Sequence, residues 1–200
     1  MTYSNSRQSE FPIDPIFLDR WSPRAFGDAG MPREHLLTIL DAAHWAPSSS
    51  NQQPTRFIYA HKGSPQWDTF VSLLMEGNQS WAKNAAVLLI VLSRTYNVSR
   101  EGEKKPATTN SFDAGAAWLS MAMQAQYLGY HAHAMAGIFK DKIIETLEVP
   151  EGYAVEAAVA IGSIADKSTL PEELAKREVP SDRLPLSEVA LEGRFTGKAD

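Results

Sequence analysis

Cysteine is absent from the 200-residue chain. That excludes disulfides, thiolate nucleophiles, iron–sulfur clusters and thiolate zinc sites together. Long apolar runs are missing too. The longest, Ala85 to Leu92, is strand length and far short of the ~20 residues a membrane span needs. The opening MTYSNSRQSEF is polar and lacks the apolar centre of a secretory signal. A cytoplasmic location is the expectation, and the sequons at Asn78 and Asn97 read as chance. Positive charge is not in excess, since 19 Lys and Arg stand against 24 Asp and Glu. Neither nucleic acid nor an anionic membrane is an expected partner, although a local basic patch stays open. Three familiar motifs are also lacking: the GxGxxG dinucleotide turn, the Walker loop and the GxSxG nucleophile elbow.

What is present is a globular composition, 44% hydrophobic and 22% charged. It predicts one domain over residues 1–200 with a core that needs no staples. Residues 1–12 are expected to be flexible, and 178–200 form an extended tail too polar for a core of its own. A helix is predicted from about Pro32 to Trp45, where Leu36, Leu37, Leu40 and Ala43 make an apolar stripe and Pro47 stops it. Arg56 to Ala60 reads as a strand, Gly63 to Leu74 as a helix, and Ala85 to Leu92 as a central strand buried on both faces. Residues 94–110 are polar and read as a lid, a binding loop or a disordered segment.

Ser111 to Tyr130 predicts a long helix. Phe112, Ala116, Leu119, Met123 and Tyr127 hold one face, and Gly115, Trp118, Ala122 and Ala125 a neighbouring one. So wide an apolar arc predicts a central helix or a subunit interface. His131 to Met135 reads as a strand and Lys140 to Leu147 as a short helix. Tyr153 to Ile161 reads as a strand with Tyr153, Val155, Ala157, Val159 and Ile161 on one face. Pro171 to Arg177 is a short helix. The alternation of elements predicts an α/β or α+β domain with four or five strands.

Several clusters could carry chemistry. Ser48 to Ser50 with His44 or His61 could suit a hydrolase, but serines in such a run are first of all turn formers and caps. His131 and His133 would share one strand face, yet two ligands do not make a metal site. Trp67, Trp81 and Trp118 fit core packing. In RWSPR, Arg20, Ser22 and Arg24 would point to one side of an extended stretch, as an oxyanion requires. A solvated basic turn explains the same spacing. The loop APSSSNQQP, Ala46 to Pro54, gathers hydroxyls and carboxamides between two stiff prolines, and carboxamides suit the edge of a heterocycle.

Taken together, RWSPRAF, WAPSSSNQQPTRFIYA, SFDAGAAWLSMAMQAQYLGYHAHAMAGIF, AVAIGSIAD and SDRLPLSEV resemble the nitroreductase family of FMN-dependent oxidoreductases. Their order and spacing match from about Arg20 to Val189. The resemblance implies a mostly antiparallel sheet of four to five strands flanked by helices. It also implies a homodimer with sites at the interface and a C-terminal tail exchanged onto the partner subunit. It places Arg20, Ser22 and Arg183 on the FMN phosphate, with Trp21 beside them, and Arg24 at the pyrimidine edge of the flavin. Ser48, Ser49, Asn51 and Gln53 would line the ring, and Asn78 would also contact it. Ala136 and Gly137 would bring backbone N–H groups to the hydride-accepting nitrogen.

No catalytic side chain and no metal is implied. Arg24 acts electrostatically, and NADH or NADPH reduces FMN in a ping-pong cycle that ends on a nitro compound, quinone, enone or small aldehyde. Three departures stand out: Ser181 replaces a lysine common in the family, Ile164 replaces an aromatic residue or proline, and the chain is compact, so the extra helices that shape substrate pockets in larger members are expected to be absent. A flavin-binding module with little turnover and a metal-dependent hydrolase on His131 and His133 are the rival readings.

Overall fold

Residues 5–196 are described by the computed structural model. A short helix α1 (Ile16–Asp19) precedes α2 (Arg33–His44), whose N-cap is Pro32. Strand β1 (Thr55–His61) leads through α3 (Trp67–Ser72) and α4 (Glu76–Ala82) to β2 (Val87–Arg94). A hairpin of β3 (Tyr96–Val98) and β4 (Lys104–Pro106) follows, then the long helix α5 (Asn110–Tyr127). After it come β5 (His131–Met135), α6 (Lys140–Thr146), β6 (Tyr153–Gly162), α7 (Glu172–Ala175) and α8 (Leu186–Val189).

The main sheet has the order β1-β2-β6-β5, and every neighbouring pair is antiparallel. Strand β2 lies inside it and buries both faces. Leu88, Ile90 and Leu92 pack with Phe70, Trp81 and Ile143 of α3, α4 and α6. Val87, Leu89 and Val91 pack with Leu36, Ile39 and Met121 of α2 and α5. The uninterrupted apolar run of β2 is thus the price of a covered sheet, and each such buried side chain contributes about 1.5–3 kcal/mol.

Three expectations are corrected here. Residues 94–110 are not an irregular loop, because Tyr96–Val98 and Lys104–Pro106 pair with each other. Arg94 and Lys104 both lie over the Tyr96 ring, at 5.3 and 4.4 Å, which suits a cation against an aromatic face. Strand β6 does not keep one alternation. Val91 pairs with Ala157 and Leu92 with Val155, so Glu156 is an extra residue in the ladder. This bulge reverses the faces: Val155 joins the α3/α4/α6 side, while Val159 and Ile161 join the α2/α5 side.

Helix α5 buries Ala114, Ala117, Met121, Ala122 and Ala125, so that of the second expected face Ala122 and Ala125 are buried while Trp118 is half-buried and Gly115 exposed. The stripe holding Phe112, Leu119 and Tyr127 faces outward, with Phe112 81% and Leu119 46% exposed.

The Glu156 bulge also aims a carboxylate at the start of α5. Its Oε1 accepts from Ser111 Oγ at 2.9 Å and from the buried Ser93 Oγ, which in turn accepts from Asn110 Nδ2 at 2.8 Å. A carboxylate is well placed at a helix N-terminus.

Candidate functional site

The segment after α1 runs alongside β5. Arg20 ends the helix in an extended conformation. Trp21 is buried edge-on to the His131 ring, at 6.4 Å. The Pro23 carbonyl accepts from His133 Nδ1–H at 2.8 Å, and the His133 ring lies 4.7 Å from Trp81. Phe26 then bridges Ile164 just beyond β6. Ile164 enters that bridge through its backbone, so its side-chain type is free to differ. Both histidines are therefore packing residues of β5. Among the described residues no three His, Asp or Glu side chains form a metal-binding group.

Arg24 is anchored from the far end of the chain. Its backbone N–H and that of Ala25 donate to Glu178 Oε1, at 2.5 and 2.8 Å, and its Nη1 lies 3.7 Å from Glu178 Oε2. Glu178 is buried. Sequence reading missed it because a lone glutamate in a polar tail carries no local signal.

Arg20 and Arg183 come together from opposite ends of the chain. Burial lowers the Arg20 guanidinium from its ordinary pKa, and the positive charges of Arg7 and Arg183 lower it further. Among the described residues neither Arg20 nor Arg183 has a carboxylate at salt-bridge distance. Adjacent cations without a counter-ion are the electrostatic condition for holding an anion.

His131 senses this environment. Burial, then the Arg20 charge, pushes its pKa down from 6.5 to about 4. Below pH 6.5 the unfolded chain takes up a proton that the folded ring refuses until about pH 4. Stability is therefore lost as the pH falls through that window, by up to about 3 kcal/mol from this group. Urea midpoints for the wild type and His131→Phe should diverge in their pH dependence between pH 7 and 4. Parallel pH profiles would show that the ring carries no such penalty.

Asn78 Nδ2 donates to the Gly137 carbonyl at 2.9 Å, and Met75 N–H donates to the same oxygen at 3.0 Å. A Cβ at position 137 would stand 2.7 Å from Asn78 Nδ2. Glycine is needed there for this approach, whereas Ala136 is exposed. Asn78 and Gly137 thus meet, on the turn that follows β5.

Ser48, Ser49, Asn51 and Gln53 lie elsewhere. Their loop enters β1, the edge strand opposite β5. Three strand spacings separate those edges, roughly 14 Å. The loop is wound tightly: Ser50, Asn51 and Gln53 all have positive φ, at 50°, 53° and 48°. Each such residue costs on the order of 1–3 kcal/mol and persists only where the surroundings enforce it. Buried Asp113 of α5 accepts from Ser49 N–H with both oxygens at 3.3 Å, and Ser48 Oγ accepts from Gln53 N–H at 2.9 Å.

Gln52 ties the loop to the hairpin. Its carboxamide donates to the Val98 carbonyl at 3.1 Å and accepts from Val98 N–H and Arg94 Nη2, both at 3.0 Å. Neither Asp113 nor Gln52 was singled out by sequence reading, since both act through distant partners. Behind the loop lies a cavity of about 450 Å³ lined by Leu40, Ala43, Phe57, Asp113 and Ala117 among others.

The candidate residues of one chain therefore fall into two groups. Arg20, Trp21, Ser22, Arg24, Asn78, Ala136, Gly137 and Arg183 belong to the β5 side, and the 48–53 loop belongs to the β1 side. An antiparallel sheet with helices on both faces defines the class: an α/β protein, with an arginine cluster that has no carboxylate at salt-bridge distance among the described residues. The family follows from comparison with known proteins. The family model described as Nitroreductase family matches residues 18–66 and 62–163, and the chain belongs to that family.

A 15.4 kDa uncharacterised protein of Mycolicibacterium smegmatis is 34% identical over 150 residues, covering 70% of this chain and 97% of that protein. Bacillus subtilis YdgI, named as an NAD(P)H nitroreductase, is 24% identical over 168 residues, covering 68% of this chain and 79% of YdgI. A crystal structure described as an oxidoreductase containing FMN is 70% identical and superposes with a TM-score of 0.95, covering 99% of this chain and 100% of its own. A Desulfovibrio desulfuricans structure described as a nitroreductase in complex with FMN is 26% identical, with a TM-score of 0.72 and coverage of 94% and 99%. No helix among the described residues is long and apolar enough to cross a membrane.

Proposed function

We propose that this protein is an FMN-dependent oxidoreductase that works as a homodimer. In this reading it takes hydride equivalents from NADH or NADPH and passes them to nitro compounds, quinones, enones or small aldehydes. The observation that carries the reading is the meeting of Arg20 and Arg183 with no carboxylate at salt-bridge distance from either among the described residues. A phosphate dianion fits that charge and the planar donors of arginine. The FMN-containing relative at 70% identity supports the cofactor, and the name of YdgI supports the reductant.

FMN, when bound, supplies the hydride-accepting and hydride-donating chemistry. The chain's own residues bind and orient it. Arg20 and Arg183, with Ser22, hold the phosphate beside Trp21. Arg24, kept in place by Glu178, would set a cation beside the pyrimidine part of the ring and stabilise negative charge there. Asn78, which donates to the Gly137 carbonyl, and the 136–137 turn would meet the ring from the same half-site. Ser48, Ser49, Asn51 and Gln53 come from the second subunit, because within one chain they stand at the opposite sheet edge. The outward stripe of α5 is the surface through which the subunits meet, and the exposed tail after Glu178 wraps the partner.

The test is spectroscopic. The purified protein should be yellow, bleach anaerobically on adding NADH or NADPH, and recolour on adding a quinone or nitroaromatic acceptor. A yellow protein that neither nucleotide bleaches would be a flavin-binding module without turnover. A colourless protein that takes up no FMN would defeat the cofactor assignment itself.

A further inference from the structure

We propose that Arg7 is a third phosphate-binding guanidinium of the Arg20–Arg183 site. This inference rests on the cofactor reading above and extends it to a residue outside every segment that carried the family resemblance. Arg7 Nε donates to the Ser181 carbonyl at 2.9 Å, and Arg183 Nη1 donates to the same oxygen at 3.3 Å. Two guanidiniums thus share one acceptor, which holds their donor nitrogens within the sum of those two lengths. Arg7 Nη1 also donates to the Arg20 carbonyl at 2.9 Å and to the Leu18 carbonyl at 3.1 Å. The side chain therefore lies between the segment that bears Arg20 and the segment that bears Arg183.

Carbonyl oxygens orient these cations but do not neutralise them. Among the described residues Arg7 has no carboxylate at salt-bridge distance. Its own guanidinium is lowered from the ordinary range, first by burial and then by the Arg183 charge, with Asp182 opposing. Arg7 Nε and Nη1 are occupied, while Nη2 has no protein acceptor among the described residues. That leaves a positioned N–H donor on a group whose neighbours repel it. A dianionic phosphate relieves the repulsion of all three arginines at once, and the free Nη2 gives Arg7 a direct bond to it.

A purely structural clamp would use the same three carbonyl bonds, so the experiment must separate phosphate recognition from folding. The full-length chain, freed of flavin, is titrated with FMN and, separately, with riboflavin, which has the same ring and no phosphate. For Arg7→Ala the FMN Kd should rise by about 10- to 100-fold, the loss of a charge-assisted bond, with the riboflavin Kd unchanged. Arg7→Lys should recover part of the FMN affinity.

Equal weakening of both flavins, or an unchanged FMN Kd, would overturn the proposal. Arg20→Ala runs in parallel. If it weakens FMN while Arg7→Ala does not, the inference about Arg7 fails and the cofactor reading stands. If both variants keep full FMN affinity, the cofactor reading fails with it.

Discussion

Replacing Arg20 and Arg183 together by alanine is expected to strip the protein of FMN. Each arginine supplies charge-assisted hydrogen bonds to a dianion, at about 1.5–3 kcal/mol per bond. Losing both raises the Kd by roughly two to four orders of magnitude. The loss is made worse by where these residues come from. Arg20 follows α1, whereas Arg183 belongs to a tail whose side chains around it are exposed. Little nearby compensates for them: Arg24 is already paired with Glu178, and Arg7 alone retains a guanidinium beside the two vacated positions.

Folding should be unharmed. Two repelling cations are removed, neither makes an ion pair among the described residues, and Arg183 is exposed. The check is flavin stoichiometry after purification, followed by equilibrium dialysis against FMN. A double variant that retains a full complement of flavin would refute the phosphate assignment.

Leu119→Asp is expected to have an effect as large by another route. Leu119 lies on the outward stripe of α5 with Phe112 and Tyr127, and Trp45 nearby in sequence to α2 is 79% exposed. In a monomer such a row of large apolar side chains is a liability; in a dimer it is an interface. A carboxylate desolvated at the centre of that interface costs several kcal/mol, enough to move a dimer of ordinary affinity to monomer at micromolar concentrations.

If the 48–53 loop of one subunit completes the flavin site of the other, FMN affinity must fall when dimerisation is lost. Light scattering and flavin retention should therefore change together. Leu119 is two turns from Asp113, so the contact that shapes the loop is left intact. A variant that stays dimeric, or a monomer that still binds FMN tightly, would separate α5 from the site and count against a shared interface.

Much of the architecture was legible locally. The stripe of α2, the doubly buried run of β2 and the limits of β5 follow from apolar periodicity and from Pro and Gly punctuation, because these act within a few residues. The short helices α1, α4 and α8 were not anticipated. They are four to seven residues long, too short for a periodic signal to rise above the background. The hairpin within 94–110 was hidden for another reason. Its strands are three residues each, and its stability comes from cation–aromatic contacts and from Gln52 in a different loop.

For the site, residue types and spacing nominated Arg20, Ser22, Arg24 and the serine-rich loop, whereas Arg183, Asn78 and the 136–137 turn came only with the family resemblance. Residue types and spacing said nothing of Glu178, Asp113 or Gln52, each of which acts across more than forty residues. Composition alone excluded thiol chemistry, since a missing side chain cannot be supplied by folding.

Which faces of β6 meet which helices was decided by one extra residue at Glu156, visible only when the strand is laid against β2. The placement of the two half-sites on opposite edges was likewise a matter of strand order, which no local pattern encodes. Short-range chemistry is written into neighbouring residues. Long-range charge, by contrast, becomes a site only when the chain's two ends are brought within hydrogen-bonding reach of one carbonyl oxygen.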